Sequence, residues 1–273
     1  MSIKLGVIGG GVMGCAIVSR LLAQGTYQST DILISEPTLS QRELLQQEYG
    51  VQVTDDNNLA AMAPVLLLAI KPQVFDKVVA DLSQINPAQL VISILAGVSI
   101  AQLERAFPVG EASQNENRAV VRAMPNTPAT VGMGITAISV GTYVRAEQLD
   151  VATQIFQAVG EVVTVPESLM DAVTGLSGSG PAYVAIAIEA LADGGVAAGL
   201  PRQIADRLAL QTVLGTATLL KESHLHPAQL KDRVTSPGGT TIAGVAKLEQ
   251  AGFRSALIEA VVAAANRSQE LGK

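Results

Sequence analysis

Over residues 1–165, short apolar runs alternate with longer polar or amphipathic stretches, a pattern that indicates strands alternating with helices. Most of the runs are apolar almost throughout, as is typical of parallel strands that are buried on both faces. The predicted strands are residues 3–8, 31–35, 51–53, 65–70, 90–95, 119–124, 135–140 and 161–165. We therefore predict an α/β domain over residues 1–165, built on a mostly parallel sheet.

The pattern changes after Pro166, where strand-like runs stop and helical segments rich in Ala, Gly and Leu follow. The predicted helices are about residues 167–176, 181–198, 201–222, 227–233 and 241–270. Helices with so much apolar surface must be buried. We therefore expect residues 166–273 to form an all-α dimerisation domain, and the chain to be an obligate homodimer.

Composition limits the classes of function. The net charge of −6 argues against a nucleic-acid partner. One cysteine, Cys15, cannot form an internal disulfide, which suits a reducing compartment, and we expect it to be a small core residue of the first helix. Two histidines, His224 and His226, do not have the spacing of a metal site. The longest apolar run, Ala182–Ala192, is interrupted by Glu189 and is too short to span a bilayer. We expect a cytoplasmic protein without a signal peptide, a membrane partner or a metal.

The first predicted strand runs directly into Gly9-Gly10-Gly11-Val12-Met13-Gly14, a G-x-G-x-x-G sequence at a strand-to-helix turn. Gly9 would allow the tight turn, Gly11 would let the backbone approach a diphosphate, and Gly14 would let the helix pack on the strand. The diphosphate would lie at the helix N-terminus, where free N–H groups favour an anion. The turn predicts a Rossmann-type dinucleotide-binding domain.

Glu36 follows the second predicted strand, about 20 positions after the glycines, where an acid commonly accepts a hydrogen bond from the adenosine ribose 2′-OH. In that position it would favour NAD and repel the 2′-phosphate of NADP. Two alternatives stay open. Ser35, Thr38 and Arg42 could form a phosphate pocket if Glu36 turns outward, or Glu36 could be a solvated loop acid.

Later strands end in small, rigid or polar residues, and the carboxyl ends of parallel strands border the ligand crevice. Pro72 sets the chain direction after Lys71, and Ala96-Gly97 leaves room for a flat ring. Lys71 is either functional or a surface lysine. Asn126 lies in a stiff loop between two prolines, where its amide could bind a nicotinamide carboxamide or the substrate, or simply stabilise the turn.

The stretch Val234–Ile242 combines hydroxyl side chains with paired glycines between two predicted helices. Consecutive N–H groups in such a turn can bind an anion, and a helix that begins at Thr240 or Thr241 would direct its positive end there. Ser236 adds a further hydroxyl donor. The stretch is either a carboxylate receptor or an ordinary helix connection with a capping residue.

Residues 175–181 do not form a nucleophile elbow, because Ser179 stands where the G-x-S-x-G pattern requires the second glycine. The two histidines fit no catalytic triad. We expect this loop to contribute shape and hydroxyl groups to the cofactor crevice.

Five segments, spread over essentially the whole chain, are informative when they are taken together. They are Gly9–Gly14, Ile70–Gln73, Met124–Pro128, Asp171–Tyr183 and His226–Thr241. Together they resemble the Δ1-pyrroline-5-carboxylate reductase family. The resemblance implies reduction of the cyclic imine to L-proline with NADPH or NADH, the last step of proline synthesis. It also implies a Rossmann domain, a helical dimerisation domain, an active site completed between subunits, and dimers that assemble further, often into decamers.

The resemblance also assigns residues. Ser236, Gly239, Thr240 and Thr241 would hold the substrate carboxylate, and Thr174 would lie near the ring nitrogen as the catalytic residue. The predicted cofactor-binding residues are Gly9, Gly11, Val12, Met13, Gly14, Ser35, Glu36, Asn57, Ala69, Lys71, Pro72, Ala96, Gly97 and Asn126. NADP is the expected cofactor, with NAD possible, because Glu36 departs from the small polar residues that suit NADP.

Two other functions fit the same plan. One is a hydroxyacid or 6-phosphogluconate-type dehydrogenase, whose acid–base residue would come from Lys221, Lys231 or Lys247. The other is a dinucleotide sensor without turnover. The reductase is favoured because reduction of an electrophilic imine needs orientation more than a nucleophile.

Overall fold

The strands of the first part of the chain form one sheet. The structure is a computed structural model, and it describes residues 3–83, 88–107 and 118–272. The strands are β1 Leu5–Ile8, β2 Ile32–Ser35, β3 Gln52–Thr54, β4 Val65–Leu68, β5 Leu90–Ser93, β6 Ala119–Met124, β7 Gly134–Val140 and β8 Gly160–Thr164. Their order in the sheet is β3-β2-β1-β4-β5-β6-β7-β8. Neighbouring strands are parallel except for the antiparallel pair β6 and β7.

Helices connect the strands and cover both faces of the sheet. Those of the α/β part are α1 Val12–Ala23, α2 Leu39–Tyr49, α3 Asn57–Ala61, α4 Phe75–Ala80, α5 Ile100–Ala106 and α6 Ala146–Gln157. Alternate residues of β4 show why the strands are apolar throughout. Val65 and Leu67 pack in the core beneath α1, α2 and α6, whereas Leu66 and Leu68 pack in the core beneath α3, α4 and α5. The α/β class predicted from the apolar runs is confirmed.

The remaining helices are α7 Met170–Val173, α8 Gly180–Ala197, α9 Arg202–Ser223, α10 Pro227–Arg233, α11 Thr240–Gln250 and α12 Phe253–Leu271. The chain divides into two compact units, residues 1–178 with 263–273 and residues 179–262. In the second unit, α8 and α9 pack through Ala192, Ala205 and Ala209. The helical character predicted after Pro166 is confirmed, and the domain boundary between residues 165 and 166 stays a prediction.

Two of the predicted helices were wrong in detail. Residues 241–270 are not one helix, because Gly252 adopts the left-handed conformation (φ +73°) between α11 and α12. The apolar pattern continues across this turn, so periodicity alone does not reveal it. Residues 167–176 are likewise not one α-helix: a 3-10 turn, Glu167–Leu169, precedes α7, and a π-helical turn, Thr174–Gly178, follows it.

A buried cation joins the sheet to the segment that follows it. Arg122 lies in β6 and is 5% exposed, and its Nη1 atom donates to Glu167 Oε1 at 3.2 Å. The same carboxylate oxygen accepts from the Ile100 amide, the first residue of α5, at 2.6 Å. Because a buried guanidinium needs an anionic partner, this contact fixes residue 167 against β6 and α5.

Glu104, in α5, has a carboxylate oxygen that is buried in the fold. Its Oε1 atom is buried and has no hydrogen-bond partner within the described residues. Burial is the main reason that the pKa of Glu104 is raised above its ordinary value; the charge of Glu167 adds to the rise, and the Thr142 amide opposes it. A raised pKa in the folded state means that stability is fully present below the unfolded-state pKa and decreases as pH rises through the folded-state pKa.

We predict that Glu104→Gln stabilises the protein at pH 8 by about 1 kcal/mol or less, because a buried charge without a full set of partners is removed. The advantage should disappear below about pH 4, where the wild-type carboxyl is protonated in both states. Denaturant unfolding at both pH values measures this. The exposed Glu43→Gln in α2 is the matched control. A constant advantage at both pH values would contradict the assignment.

Candidate functional site

All of the predicted cofactor-binding residues follow the carboxyl ends of parallel strands. Gly9–Gly14 follows β1, Ser35 and Glu36 end or follow β2, and Asn57 follows β3. Ala69, Lys71 and Pro72 follow β4, Ala96 and Gly97 follow β5, and Asn126 follows β6. Because these strands are neighbours in one sheet, their carboxyl ends form a single edge. This is the edge at which ligands bind in sheets of this kind.

The glycine turn has the conformation that the sequence predicted. Gly9 has φ +107°, and a Cβ there would lie 2.6 Å from the carbonyl oxygen of Ala69. A Cβ on Gly14 would collide with the carbonyl oxygen of Gly9, so only glycine lets α1 pack this closely on the turn. β1 can therefore pass into α1 without a longer loop.

The N-terminus of α1 is left open for an anion. Gly11 precedes it with extended backbone angles, no side chain caps the helix, and the first turn contains no acidic residue. A Cβ on Gly11 would have no atom within 4 Å, so the space above this backbone is empty. Val12 is 75% exposed beside it. Uncapped N–H groups and the helix dipole together favour a negatively charged group such as a diphosphate.

Glu36 faces the glycine turn and does not point away from it. Its Oε2 atom accepts from the Gly10 amide and its Oε1 atom from the Thr38 amide, each at 3.0 Å. Arg42 donates to the carbonyl oxygens of Glu36 (2.7 Å) and Pro37 (2.9 Å) and pairs with Asp55. The alternative in which Glu36 turns outward and Arg42 lines a phosphate pocket is therefore not the arrangement in this structure.

Ser35 and Asn57 form a pair. Ser35 is 1% exposed, and its hydroxyl donates to Asn57 Oδ1 at 2.7 Å. Since the Asn57 oxygen is the acceptor in this bond, the N–H₂ end of the amide is directed away from Ser35. Ser35 therefore orients Asn57, which is half-buried at the start of α3.

The later strand ends differ in how firmly they are held. Lys71 is exposed and starts the 3-10 turn Pro72–Val74, so its side chain has the surroundings of a surface lysine. Asn126 Oδ1 accepts from the Ile135 amide at 3.0 Å, so this side chain ties its loop to β7. Gly97 has φ +77°, a conformation that requires glycine, and Ala96 beside it is half-buried.

Cys15 is a packing residue, as predicted. It is partly buried against the core of α1, α2 and α6, and its thiol donates to the Gly10 carbonyl oxygen at 3.1 Å. Gln41 donates to the same oxygen at 2.8 Å. Burial raises the pKa of the Cys15 thiol, which disfavours a reactive thiolate.

Thr174 begins the π-helical turn Thr174–Gly178. Its hydroxyl donates to the Met170 carbonyl oxygen at 2.9 Å, and Ser177 bonds Val173 in the same way at 3.1 Å. Val173 and Ala96 both pack on a small cluster of Met124, Ala137 and Met170. The structure therefore brings the Thr174 segment to the Ala96 end of the strand edge. Single π-helical turns are rare in proteins, and those that occur are often found at functional sites.

Residues that the sequence interpretation missed hold this segment. Glu167 fixes its start through Arg122 and the Ile100 amide, as described above. Asp171 Oδ1 accepts from the Ser268 hydroxyl at 2.6 Å, so α12 contacts the middle of the segment. One signal was present: Arg122 stands in an otherwise apolar strand, which indicates a buried partner. The pairing of Asp171 with Ser268 had no local signal, since the two residues are 97 positions apart.

In the second unit, the stretch Val234–Ile242 is a turn followed by a helix with an open N-terminus. α11 begins at Thr240, one of the two starting positions considered, and Gly239 precedes it without a side-chain cap or an acidic residue in the first turn. Gly238 has φ +69°, and the Gly239 amide donates to the Ser236 carbonyl oxygen at 3.1 Å. Ser236 and Thr240 are exposed. The hydroxyls and helix amides can together bind a carboxylate.

The helices of the second unit expose large apolar side chains. Examples are Val184, Ile186, Leu191, Ile204, Leu208, Leu210, Leu214 and Ile258, which are 47–64% exposed. Helices that expose this many large apolar side chains are typical of an interaction surface. Among the helices the structure describes, none is long and apolar enough to cross a membrane. The described residues also contain no group of three or more His, Cys, Asp or Glu side chains placed to hold a metal ion.

Two family models match the chain. Residues 167–271 match the model described as pyrroline-5-carboxylate reductase dimerisation. Residues 4–97 match the model described as NADP oxidoreductase coenzyme F420-dependent. The two matches lie on the helical part and on the glycine-turn part of the chain, respectively.

Known relatives are similar over the whole length. The chain is 62% identical to a pyrroline-5-carboxylate reductase of a Synechocystis species, with 100% of both chains covered. It is 46% identical to the reductase of Methanosarcina acetivorans, over 99% of this chain and 98% of that one. Among solved structures, Plasmodium falciparum pyrroline carboxylate reductase with NADP bound matches with a TM-score of 0.88 and 32% identity, covering 99% of this chain and 98% of that one. The chain therefore belongs to the pyrroline-5-carboxylate reductase family.

Proposed function

We propose that this protein reduces Δ1-pyrroline-5-carboxylate to L-proline, the last step of proline biosynthesis, with NADP(H) as cofactor and NAD(H) as a possible substitute. The observation that carries the proposal is the full-length 62% identity to a pyrroline-5-carboxylate reductase. The open N-terminus of α1 at the carboxyl edge of the sheet supports it, because a dinucleotide diphosphate needs such a place.

The residues of the first unit fit the cofactor. The backbone of Gly11, Val12 and Met13 would hold the diphosphate, since a Cβ at residue 11 would occupy open space and no protein group caps the helix. Glu36 and Asn57 would contact the adenosine ribose. Ala69, Lys71, Pro72, Ala96, Gly97 and Asn126 would line the rest of the crevice. When bound, the reduced nicotinamide supplies the hydride for the reaction.

The residues of the second unit fit the substrate. The backbone amides of Gly239, Thr240 and Thr241 and the hydroxyls of Ser236 and Thr241 would bind the carboxylate of the five-membered ring. This contact fixes which face of the ring is presented for reduction. We propose that the site is completed between subunits of the dimer.

Thr174 is the residue proposed to contact the ring nitrogen. In the reaction the C=N carbon gains a hydride and the nitrogen keeps or gains one proton, which gives the secondary amine of proline. Because the Thr174 hydroxyl donates to Met170, its oxygen has lone pairs to offer and no second proton. It would therefore accept a hydrogen bond from the N–H of the protonated imine and of the amine.

Assembly follows from the exposed apolar helices and from the match to a dimerisation domain. We propose a homodimer that assembles further into a decamer, acts in the cytoplasm, and binds neither nucleic acid nor membrane. The net charge of −6 disfavours both polyanionic partners.

The assay that tests the proposal mixes the protein, NADPH and pyrroline-5-carboxylate and follows the loss of reduced-nicotinamide absorbance and the formation of proline. A hydroxyacid-type dehydrogenase would leave this substrate unchanged, and a dinucleotide sensor would bind NADPH without consuming it. Failure to form proline while NADPH binds would reject the reductase.

We predict that Thr174→Ala and Thr241→Ala act on different kinetic constants. Loss of a hydrogen bond to a charged group costs about 1.5–3 kcal/mol, so each variant should change its constant by roughly 10- to 100-fold. Thr174→Ala should lower kcat, whereas Thr241→Ala should mainly raise KM for pyrroline-5-carboxylate. Thr153→Ala is the control, since its hydroxyl also bonds the carbonyl four residues earlier, in α6. Wild-type kinetics in both variants would contradict the site.

We predict that Gly11→Ala weakens NADPH binding without weakening the fold. The added methyl group meets no protein atom within 4 Å, so Tm should stay close to the wild-type value. It would stand where the diphosphate approaches, so the dissociation constant for NADPH should rise by about 10-fold or more. Gly14→Ala is the contrasting variant and should lower Tm, because its Cβ collides with Gly9. Unchanged NADPH affinity in Gly11→Ala would place the diphosphate elsewhere.

We predict that Glu36→Gln shifts cofactor preference toward NADPH. The substitution keeps the size of the side chain and removes a negative charge next to the proposed ribose position, where a 2′-phosphate would be repelled. The ratio of kcat/KM for NADPH to that for NADH should rise by about 10-fold, a free-energy change of roughly 1.4 kcal/mol. Glu43→Gln, on the exposed face of α2, should leave the ratio unchanged. An unaltered ratio in Glu36→Gln would show that residue 36 does not meet the ribose.

A further inference from the structure

The last turn of α12 contacts the segment that carries Thr174. Ser268 is 4% exposed, and its hydroxyl donates to Asp171 Oδ1 at 2.6 Å. Asp171 belongs to α7 and Thr174 begins the π-helical turn directly after it, so the bond reaches the segment one helical turn before the threonine. Ser268 itself is not among the residues proposed to bind the substrate or the cofactor.

The same end of α12 also meets the predicted cofactor crevice. A Cβ on Gly97 would lie 3.2 Å from the Gly272 nitrogen, and one on Gly272 would lie 2.7 Å from the Gly97 carbonyl oxygen. Leu271 lines a cavity together with Pro72 and Ala96. One turn of helix therefore contacts both the loop after β5 and the segment of Thr174.

The π-helical turn needs support from outside. A π-helix is rare and occurs mostly as a single turn, so the residues of the turn do not by themselves favour it over an α-helix. Glu167 holds the start of the segment through Arg122. Asp171 holds the middle through Ser268, in a charge-assisted bond of the stronger kind. Thr174 lies beyond both anchors.

We propose that Ser268 is a positioning residue for the reduction: through Asp171 it sets the position of the π-helical turn and thereby of the Thr174 hydroxyl. This inference rests on the proposed function for its kinetic consequence, but its structural part does not. The bond between Ser268 and Asp171 should order residues 170–178 whether or not the protein reduces pyrroline-5-carboxylate.

The test uses the full-length protein with Ser268→Ala, Ser268→Thr and the control Ser255→Ala, an exposed serine of the same helix that bonds Glu259. Hydrogen–deuterium exchange of the ligand-free protein is measured for peptides covering residues 170–178 and residues 5–35. Ser268→Ala should speed exchange in 170–178 and leave 5–35 unchanged. Ser268→Thr keeps a hydroxyl, so its exchange rate in 170–178 should match that of the wild type. The control Ser255→Ala should also exchange at the wild-type rate.

Kinetics then test the consequence. A displacement of the order of 1 Å at a reacting group can cost about 100-fold, so Ser268→Ala should lower kcat for pyrroline-5-carboxylate by roughly 10- to 100-fold. The dissociation constant for NADPH should change by less than about 2-fold, since the glycine turn is untouched. Ser268→Thr should recover most of kcat. A purely structural role would lower NADPH affinity and kcat together.

Two further variants make the result decisive. Asp171→Ala should lower kcat like Ser268→Ala, and the double variant should lose no more than Asp171→Ala alone, because both remove one bond. If Ser268→Ala does not fold, Ser268→Cys is used, whose weaker donor should give a smaller change in the same direction. Unchanged exchange in 170–178, additive losses, or no recovery with threonine would each overturn the proposal. If Ser268→Ala shows the faster exchange but the wild-type protein forms no proline, only the proposed function is rejected.

Discussion

The structure depends on a turn that leaves the N-terminus of a helix uncapped. β1 passes into α1 through Gly9, Gly10 and Gly11, and this is possible because Gly9 adopts φ +107° and Gly14 lacks a Cβ. Gly10 is held on both of its backbone groups: its amide donates to Glu36, and its carbonyl oxygen accepts from Gln41 and from the Cys15 thiol. These bonds hold the turn in place, while no side chain caps the first amides of α1, which leaves them available to a ligand. In the second unit, α11 has the same arrangement, with Gly239 before an uncapped helix N-terminus. The chain has a net charge of −6, which repels anions in general. The uncapped amides at the N-termini of α1 and α11 attract anions locally in spite of this charge.

How much the sequence could predict differs between local and distant interactions. The apolar runs located the strands, because a parallel strand that is buried on both faces must be apolar at nearly every position. The α/β class could be predicted from the alternation of these strands with helices. The glycine turn could be interpreted because the conformations it needs are restricted to glycine. The pairs Arg122–Glu167 and Ser268–Asp171 could not be predicted, since they join residues 45 and 97 positions apart and neither sequence neighbourhood indicates its partner. The π-helical turn was missed for a related reason: its residues have no propensity that distinguishes it from an α-helix, and the surrounding contacts decide.

The half-buried carboxylates near the proposed site share one property. Glu36 accepts from two amides, Glu167 from an amide and a guanidinium, and Asp171 from a hydroxyl. Each carboxylate therefore fixes a piece of backbone: the glycine turn, the start of α5, and α7. These contacts orient the residues around the proposed site. A reaction in which the cofactor carries the hydride and the imine is already electrophilic needs little beyond orientation, which can account for about 7–11 kcal/mol of a barrier.

Because the protein's part in the proposed reaction is orientation, the contacts made by the C-terminal end of α12 are important for it. Orientation is effective only if the reacting groups are held within about 0.5 Å by residues whose own positions are fixed. The Thr174 hydroxyl bonds Met170, and its amide bonds the carbonyl oxygens of Met170 and Asp171, so these partners all lie within its own segment. Its position therefore also depends on the anchors before α7 and within it, of which Arg122–Glu167 comes from the sheet and Asp171–Ser268 from a helix end that also touches the loop of Gly97. A helix that supports both the loop after β5 and the Thr174 segment makes their relative position a property of the fold, established before any ligand binds.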